Sequence, residues 1–254
     1  MNYILTTQVT KDYYERARPL FESVFEHWPH RFLIGCIGFV PDDYTPDTHY
    51  FVSIKNVATY RNDYPRNRDD FVCMQGGEFI DYLNCDDDDL VIEIDADNIM
   101  QRPFTADELA AIVPERNQII ATYPANPPQS LHTVWKNLRF KMNRSYTDLL
   151  YGVNDRPEFC GAFLVARATT WRRLRGFVVN YFDTMVAANA RGHHAGIQLL
   201  ISAIAWRHFN VRVVGNHYQV GQWYKRFNTS VEDDKLLLDG EVVIFNHNKF
   251  NVLE

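Results

Sequence analysis

Leu90-Val91-Ile92-Glu93-Ile94-Asp95-Ala96-Asp97 is the stretch on which the reading of this chain turns. Leu90 to Ile94 is compact and apolar but for Glu93, the composition of a strand buried on both faces of a parallel sheet. It delivers two carboxylates one residue apart. Residues i and i+2 of a strand point the same way, so both carboxylates can converge on one ion. Open α/β sheets bind ligands outside the carboxyl ends of their strands. Carboxylate oxygens suit a hard cation such as Mg²⁺ or Mn²⁺, which commonly completes its shell with substrate phosphates. A bare Asp-x-Asp more often only solvates a turn. Here it follows an apolar strand and precedes Pro103-Phe104 and a capped helix, and that context favours a metal.

The flanking sequence alternates strands with helices. Tyr3 to Thr7 reads as a first strand, Phe32 to Val40 as a second and Tyr50 to Lys55 as a weaker third. Asp12 with Glu15 resembles a capping box, opening a helix with apolar positions Leu20, Phe21, Val24, Phe25 and Trp28, its early turns disturbed by Pro19. A polar stretch, 62–70, leads to a helix ending near Asn84. Thr105-Ala106-Asp107-Glu108 is a capping box, and Gln118 to Tyr123 is the next strand. Residues 124–157 break the pattern and read as an insertion, in the place where irregular segments are often functional. Glu158 to Ala166 is the sixth strand, a helix follows from Thr170, and Ile197, Leu200, Ile201 and Ile204 stripe another. Val211 to Val214 and Val242 to Phe245 close the series. The fold expected is α/β, a mostly parallel sheet flanked by helices, with an insertion before the sixth strand.

The chain has 254 residues, 46% of them hydrophobic, and a formal charge of -6. That is enough for one sizeable core, so a single domain over 1–254 is expected, and the acidic balance argues against a dedicated polyanion binder. The four cysteines, at 36, 73, 85 and 160, have no metal-ligand spacing and read as buried free thiols. The start MNYILTTQVT lacks the features of a signal peptide, and the longest apolar run has nine residues. The expectation is a soluble, cytoplasmic protein with no membrane partner.

Leu90 to Asp97, with Asn98-Ile99-Met100-Gln101-Arg102-Pro103-Phe104, resembles the metal-binding region of GT-A glycosyltransferases, nearest to the glycogenin-like family 8. Phe159 to Val165 is similar to that family's strand beginning Asn-(Ser/Ala)-Gly, and Phe245-Asn246-His247-Asn248-Lys249 to its C-terminal segment bearing a metal-ligating histidine. The resemblance implies a Rossmann-like GT-A domain, with 1–123 as the nucleotide-sugar half and 124–254 as the acceptor half. It implies a hexosyl- or pentosyltransferase whose Mn²⁺ or Mg²⁺, held by Asp95, Asp97 and His247, grips the diphosphate of a nucleotide-sugar, a UDP-sugar above all. Donor contacts would come from Thr6, Thr7 and Gln8 at the end of strand one, from Ala96 and Gln198, and from Lys249 toward a phosphate. Arg66, Arg68 or Gln75 would replace a family lysine that has no counterpart here. The family's acidic helix start is replaced by His193-His194-Ala195. An inverting reaction would need a base, and His193, His194, Glu158 and Asp155 are the candidates.

Two further signals carry other readings. Asp86 to Asp89 reads as a solvated turn. The basic-aromatic segment 135–144 and the cluster Arg167, Arg172, Arg173 and Arg175 read first as exposed helix faces. The segment is also a candidate contact for an anionic acceptor, whether glycan, protein or modified nucleic-acid base. The alternatives to glycosyl transfer are a nucleotidyltransferase of related fold and a non-catalytic nucleic-acid or partner-binding module. The first normally carries a Gly-rich loop after strand one, and Thr6 to Lys11 has no glycine.

Overall fold

The structure, a computed structural model, describes residues 1–52, 77–138, 150–180, 194–221 and 226–247. A seven-stranded sheet has the order β3-β2-β1-β4-β7-β6-β8. Its strands are β1 (Tyr3–Thr10), β2 (Arg31–Ile37), β3 (His49–Val52), β4 (Leu90–Ile94), β6 (Gln118–Thr122), β7 (Cys160–Arg167) and β8 (Asn210–Val213). All run one way except β7, which is antiparallel to both neighbours. β7 therefore starts at the edge where the others end. The chain turns back between β1 and β4, and a sheet's ligand crevice lies at such a reversal. Asp95 follows β4 directly at that point.

Both faces of the sheet are covered, which explains the unbroken apolar runs. Ile4, Val91 and Leu164 face a core with Trp171 and Leu174 of α5 (Ala168–Asn180) and Leu200 and Ile204 of α6 (His194–His208). Leu5, Ile92 and Val165, one residue along each strand, face the opposite core with Leu20 and Val24 of α2 (Arg18–His27). Each such side chain contributes about 1.5–3 kcal/mol when fully buried. Trp171, fully buried, spends its indole N–H on the Val91 carbonyl at 3.1 Å, so β4 is fixed from its polar backbone as well.

Several elements differ from the sequence reading. β1 runs to Thr10 rather than stopping at Thr7, because Gln8 is buried against Glu93 and Val9 packs in the core. The box expected at Asp12 and Glu15 does not form. A four-residue α1 (Lys11–Tyr14) passes through a 3₁₀ turn (Glu15–Ala17), and Glu15 pairs with Arg18 instead. α2 then restarts with Pro19 in its first turn, where no amide donor is needed. Phe25, expected on its buried stripe, is 56% exposed. β2 ends at Ile37, where Gly38 turns left-handed at φ 70°. β3 ends at Val52, the last described residue before 53–76. Near Asn84 the described element is only a 3₁₀ turn, Glu78–Asp81. The box at Thr105 forms as expected and opens α3 (Ala106–Ala111). The insertion contains α4 (Leu131–Leu138).

The acidic run is not all solvated. Asp89 is buried and accepts from the Asn2 and Asp86 amides, which hold its pKa down against the burial that would raise it. Asp87 and Asp88 pair with Arg172 and Arg167, and Arg175 pairs with Asp81. Arg167 and Arg172 thus answer the acidic run. Cys36 and Cys160 are buried free thiols and Cys85 is half-buried; Cys73 lies outside the described residues.

One close approach bears on the site. Tyr50 of β3 crosses β2 at Gly35 to reach β1, where its hydroxyl donates to Thr6 Oγ1 at 3.0 Å while Thr6 donates to the Leu33 carbonyl. A Cβ on Gly35 would lie 2.6 Å from the Tyr50 ring. Gly35→Ala should therefore cost about 1–3 kcal/mol by overpacking, measured by urea unfolding, and Tyr50→Leu in the same chain should recover part of the loss.

Candidate metal centre

Asp95 and Asp97 leave β4 in a turn, and a second small sheet brings the third donor to them. β5 (Asn98–Met100) pairs antiparallel with β13 (Phe245–His247), and β13 pairs parallel with β9 (Gln219–Val220). The register sets His247 opposite Asn98, one residue beyond Asp97. His247 was expected in the tail after a strand ending at Phe245; it is instead buried within β13, and Glu241–Val242 form a separate strand, β12. Its Nε2 lies 2.9 Å from Asp97 Oδ1 and 3.8 Å from Asp95 Oδ2.

One ligand atom from each of the three residues lies within 4.8 Å of the others. Metal–oxygen and metal–nitrogen bonds of about 2.0–2.2 Å would span such a set. Asp97 Oδ1 is buried and its close polar neighbour among the described residues is His247 Nε2, a contact that meets no hydrogen-bond geometry, so the two atoms face a gap that a shared cation would fill. Two carboxylates and an imidazole suit Mn²⁺ better than Mg²⁺, which prefers all-oxygen shells, and leave other positions for phosphate or water.

Buried polar groups orient this turn. Asn98 Nδ2 donates to the Asp95 carbonyl at 2.9 Å, and the Asn98 backbone N–H closes the same turn at 3.2 Å. Thr122 Oγ1 at the end of β6 donates to Gln219 Oε1, whose own amide reaches Asn98 Oδ1 at 3.5 Å. The Asp95 N–H donates to the Ala162 carbonyl of β7 at 3.4 Å. Behind the pair, Glu93 is buried with Oε2 unpartnered, and Gln8 donates to its Oε1 at 3.4 Å. Burial first, then the Asp95 charge, holds the Glu93 carboxyl well above the usual range.

The other predicted site residues are scattered. Thr6 and Thr7 are fully buried in mid-strand, Thr6 being committed to Leu33 and Tyr50. The start of β7, rather than Glu158 itself, opens the sixth strand of this sheet. Glu158 is buried, its carboxylate accepts from the Gln198 amide, and burial pushes its pKa up to about 7 against that bond. Gln198 Oε1 accepts from the Gly161 N–H at 3.3 Å. Asp155 is exposed on the preceding segment. His194 opens α6. Arg66, Arg68, Gln75, His193 and Lys249, and most of the basic-aromatic segment, lie outside the described residues. The sequence reading missed Asn98, Gln219 and Glu93 as members of the centre. Glu93 had a signal, the single charge inside an apolar strand; Gln219 had none.

A cavity of about 440 Å³, lined by residues including Phe25, Trp28, His30 and Phe104, lies beside the start of β2. It holds none of the three clustered donors, and the ligand chemistry lies with the donors.

No protein-family profile matches the sequence, and no curated relative matches it. Among solved structures, the chain is similar to a galactosyltransferase, LgtC, crystallised in complex with donor and acceptor sugar analogues. The TM-score is 0.56 at 13% identity, over 96% of this chain and 86% of that one. The likeness shows the fold, a GT-A type Rossmann-like sheet flanked by helices. No helix of the described residues is long and apolar enough to cross a membrane.

Two outcomes follow from the geometry. Asn98→Ala should weaken Mn²⁺ binding by about 10-fold, the lower end for an outer-shell partner, read by calorimetric titration. Glu158 has a folded-state pKa above its unfolded value, so its contribution to stability is full below about pH 4.5 and lost as pH rises through about 7. Glu158→Gln cannot ionise. It should melt like the wild type near pH 4.5 and be more stable above pH 8, by up to about 3 kcal/mol.

Proposed function

We propose that the chain is a metal-dependent glycosyltransferase that moves a hexosyl or pentosyl group from a UDP-sugar to a glycan-type acceptor. The observation that carries this reading is the convergence of Asp95, Asp97 and His247 at the carboxyl edge of a GT-A sheet. The solved neighbour bound both donor and acceptor sugar analogues, which supports the same pair of ligands here.

In this reading Asp95, Asp97 and His247 hold Mn²⁺ or Mg²⁺. A cation bound there supplies Lewis-acid neutralisation of the diphosphate as the sugar–oxygen bond breaks. The protein's own part is orientation. Asn98 and Gln219 fix the metal turn, Ala96 sets its backbone beside the donor, and Lys249, two residues after His247 in sequence, meets a phosphate. The 124–157 insertion joins the end of β6 to the start of β7 at this same edge, which suits the acceptor side.

The rival readings are weaker on particular residues. A nucleotidyltransferase lacks its glycine loop at Thr6 to Lys11. A nucleic-acid module loses much of its basic surface, since Arg167, Arg172 and Arg175 are paired with aspartates.

A melting screen of nucleotide-sugars with and without Mn²⁺ tests the proposal. The true donor at 100 times its Kd should stabilise the chain by about 2.7 kcal/mol, and chelation should remove the effect. Asp97→Ala should lower sugar transfer by more than the roughly 10–100-fold that loss of an outer-shell partner costs. Undiminished transfer by that variant would sink the metal role. Silence toward every donor, together with steeply salt-dependent nucleic-acid binding, would favour the binding module.

A further inference from the structure

Glu158 is a buried carboxyl that the donor chemistry above does not use. It sits two residues before β7, at the edge where the metal turn lies. Its backbone N–H donates to the Gln129 carbonyl, and on either side Pro157 accepts from the Trp206 indole and Phe159 donates to Ser202 Oγ. Both Trp206 and Ser202 belong to α6, so the start of β7 is laced to that helix. Glu158 Oε1 has no hydrogen bond among the described residues. The Gln198 amide, also on α6, donates to the Glu158 carboxylate and accepts from the Gly161 N–H. The next residue, Ala162, carries the carbonyl that accepts the Asp95 N–H.

We propose that Glu158 is a positioning residue that acts through Gln198: the pair clamps Gly161 at the start of β7 and thereby sets the carbonyl from which the Asp95 turn hangs. The proposal rests on the metal-centre reading above for its consequence, and on the Glu158–Gln198–Gly161 contacts for its mechanism. As an acid, Glu158 fits its apolar surroundings with one bond from Gln198. As a carboxylate it leaves a buried charge with one oxygen unserved, which is costly without further donors. Relief comes from admitting water at the start of β7, which loosens Gly161 and Ala162. Burial pushes the group up to about 7, so the clamp changes state within the neutral range.

Among the described residues no charged side chain compensates the carboxylate. Asp155 and Arg156 on the preceding segment are exposed, the Arg156 guanidinium lying over the Trp206 ring. Lys136 on α4 is exposed and His132 half-buried, and Arg207 and His208 lie further along α6. None contributes to the shift, which burial causes and only the Gln198 bond opposes.

The test compares wild type, E158Q, Q198M and the double variant by amide hydrogen exchange, metal-free, from about pH 6 to pH 9, each pH being compared across variants. Protection at residues 160–162 and at the Asp95 amide should match in wild type and E158Q near pH 6. Above pH 7 wild type should lose about fivefold relative to E158Q, the low end of coupling between sites, and the gap at Asp95 should vanish in the Q198M background. A parallel Mn²⁺ titration should show the same step in affinity. Equal protection in wild type and E158Q at every pH overturns the proposal, as does a gap at Asp95 that survives Q198M in full. Should E158Q fail to fold, Q198M alone decides, because severing the link must flatten the wild-type step at Asp95. If the exchange step is present but Mn²⁺ does not bind at any pH, the clamp stands and the metal reading falls.

Discussion

The short antiparallel ladder between Asn98–Met100 and Phe245–His247 is the constraint on which the centre depends. Asp95 and Asp97 come with β4, but the imidazole arrives from the far end of the chain only because His247 pairs opposite Asn98. Side chains alternate along a strand, so a slip of one residue would turn His247 away. The ladder is short, and its register is secured from outside. Gln101 makes a two-way contact with β11 (Lys235–Leu238), donating to the Leu236 carbonyl at 3.0 Å and accepting from the Leu236 N–H at 2.7 Å. Arg102 donates to the Val242 carbonyl at 2.7 Å and grips Glu108 with two guanidinium nitrogens. Glu108, pulled down to about 2 chiefly by Arg102, is also the acid of the Thr105 capping box. Helix cap, ion pair and the candidate ligand His247 are therefore one assembly.

The parts of this assembly legible in the sequence were those with a local signature. Leu90 to Asp97 declared a two-faced strand with its carboxylates, and Thr105 with Glu108 declared a cap, because each depends on neighbours within four residues. His247 was reachable only through a resemblance in chain order. Gln101 and Gln219 were invisible, because their amides act through partners more than a hundred residues away in sequence, while Asn98 closes a local turn on Asp95 that no motif announces. The same blindness affected charge. Asp86 to Asp89 and the arginines around the start of α5 read as two separate solvated features, whereas the fold sets Asp87 and Asp88 against Arg172 and Arg167. β1 was cut short at Thr7 because a polar residue looked like an ending. In fact Gln8 stays inside, where Glu93 needs a donor.

Glu93 and Glu158 share a physical logic that a stability optimum would not choose. Both are buried, both have an unpartnered oxygen, and burial is the leading cause of the raised pKa in each. A glutamine would carry no charge to desolvate. Buried acids without a cationic partner concentrate where function keeps them. Both of these lie close to one carboxyl edge, one directly behind the metal turn and one at the root of the insertion.

The position of Glu158 also bears on the departure at α6. The helix begins at His194 without an acidic residue in its first turn, where the family resemblance implies a carboxylate. A carboxyl does meet this helix, but from the strand side, through Glu158 to Gln198 one turn in. An acid on a helix start faces the N-terminal dipole and stays ionised. An acid buried at a strand start and bonded to one amide is instead poised between its two forms. Moving the carboxyl across the interface thus trades a fixed charge for a titratable one. It also links the start of β7 to the turn after β4 through a single carbonyl, that of Ala162, and the register of β7 against β4 keeps that carbonyl beside Asp95.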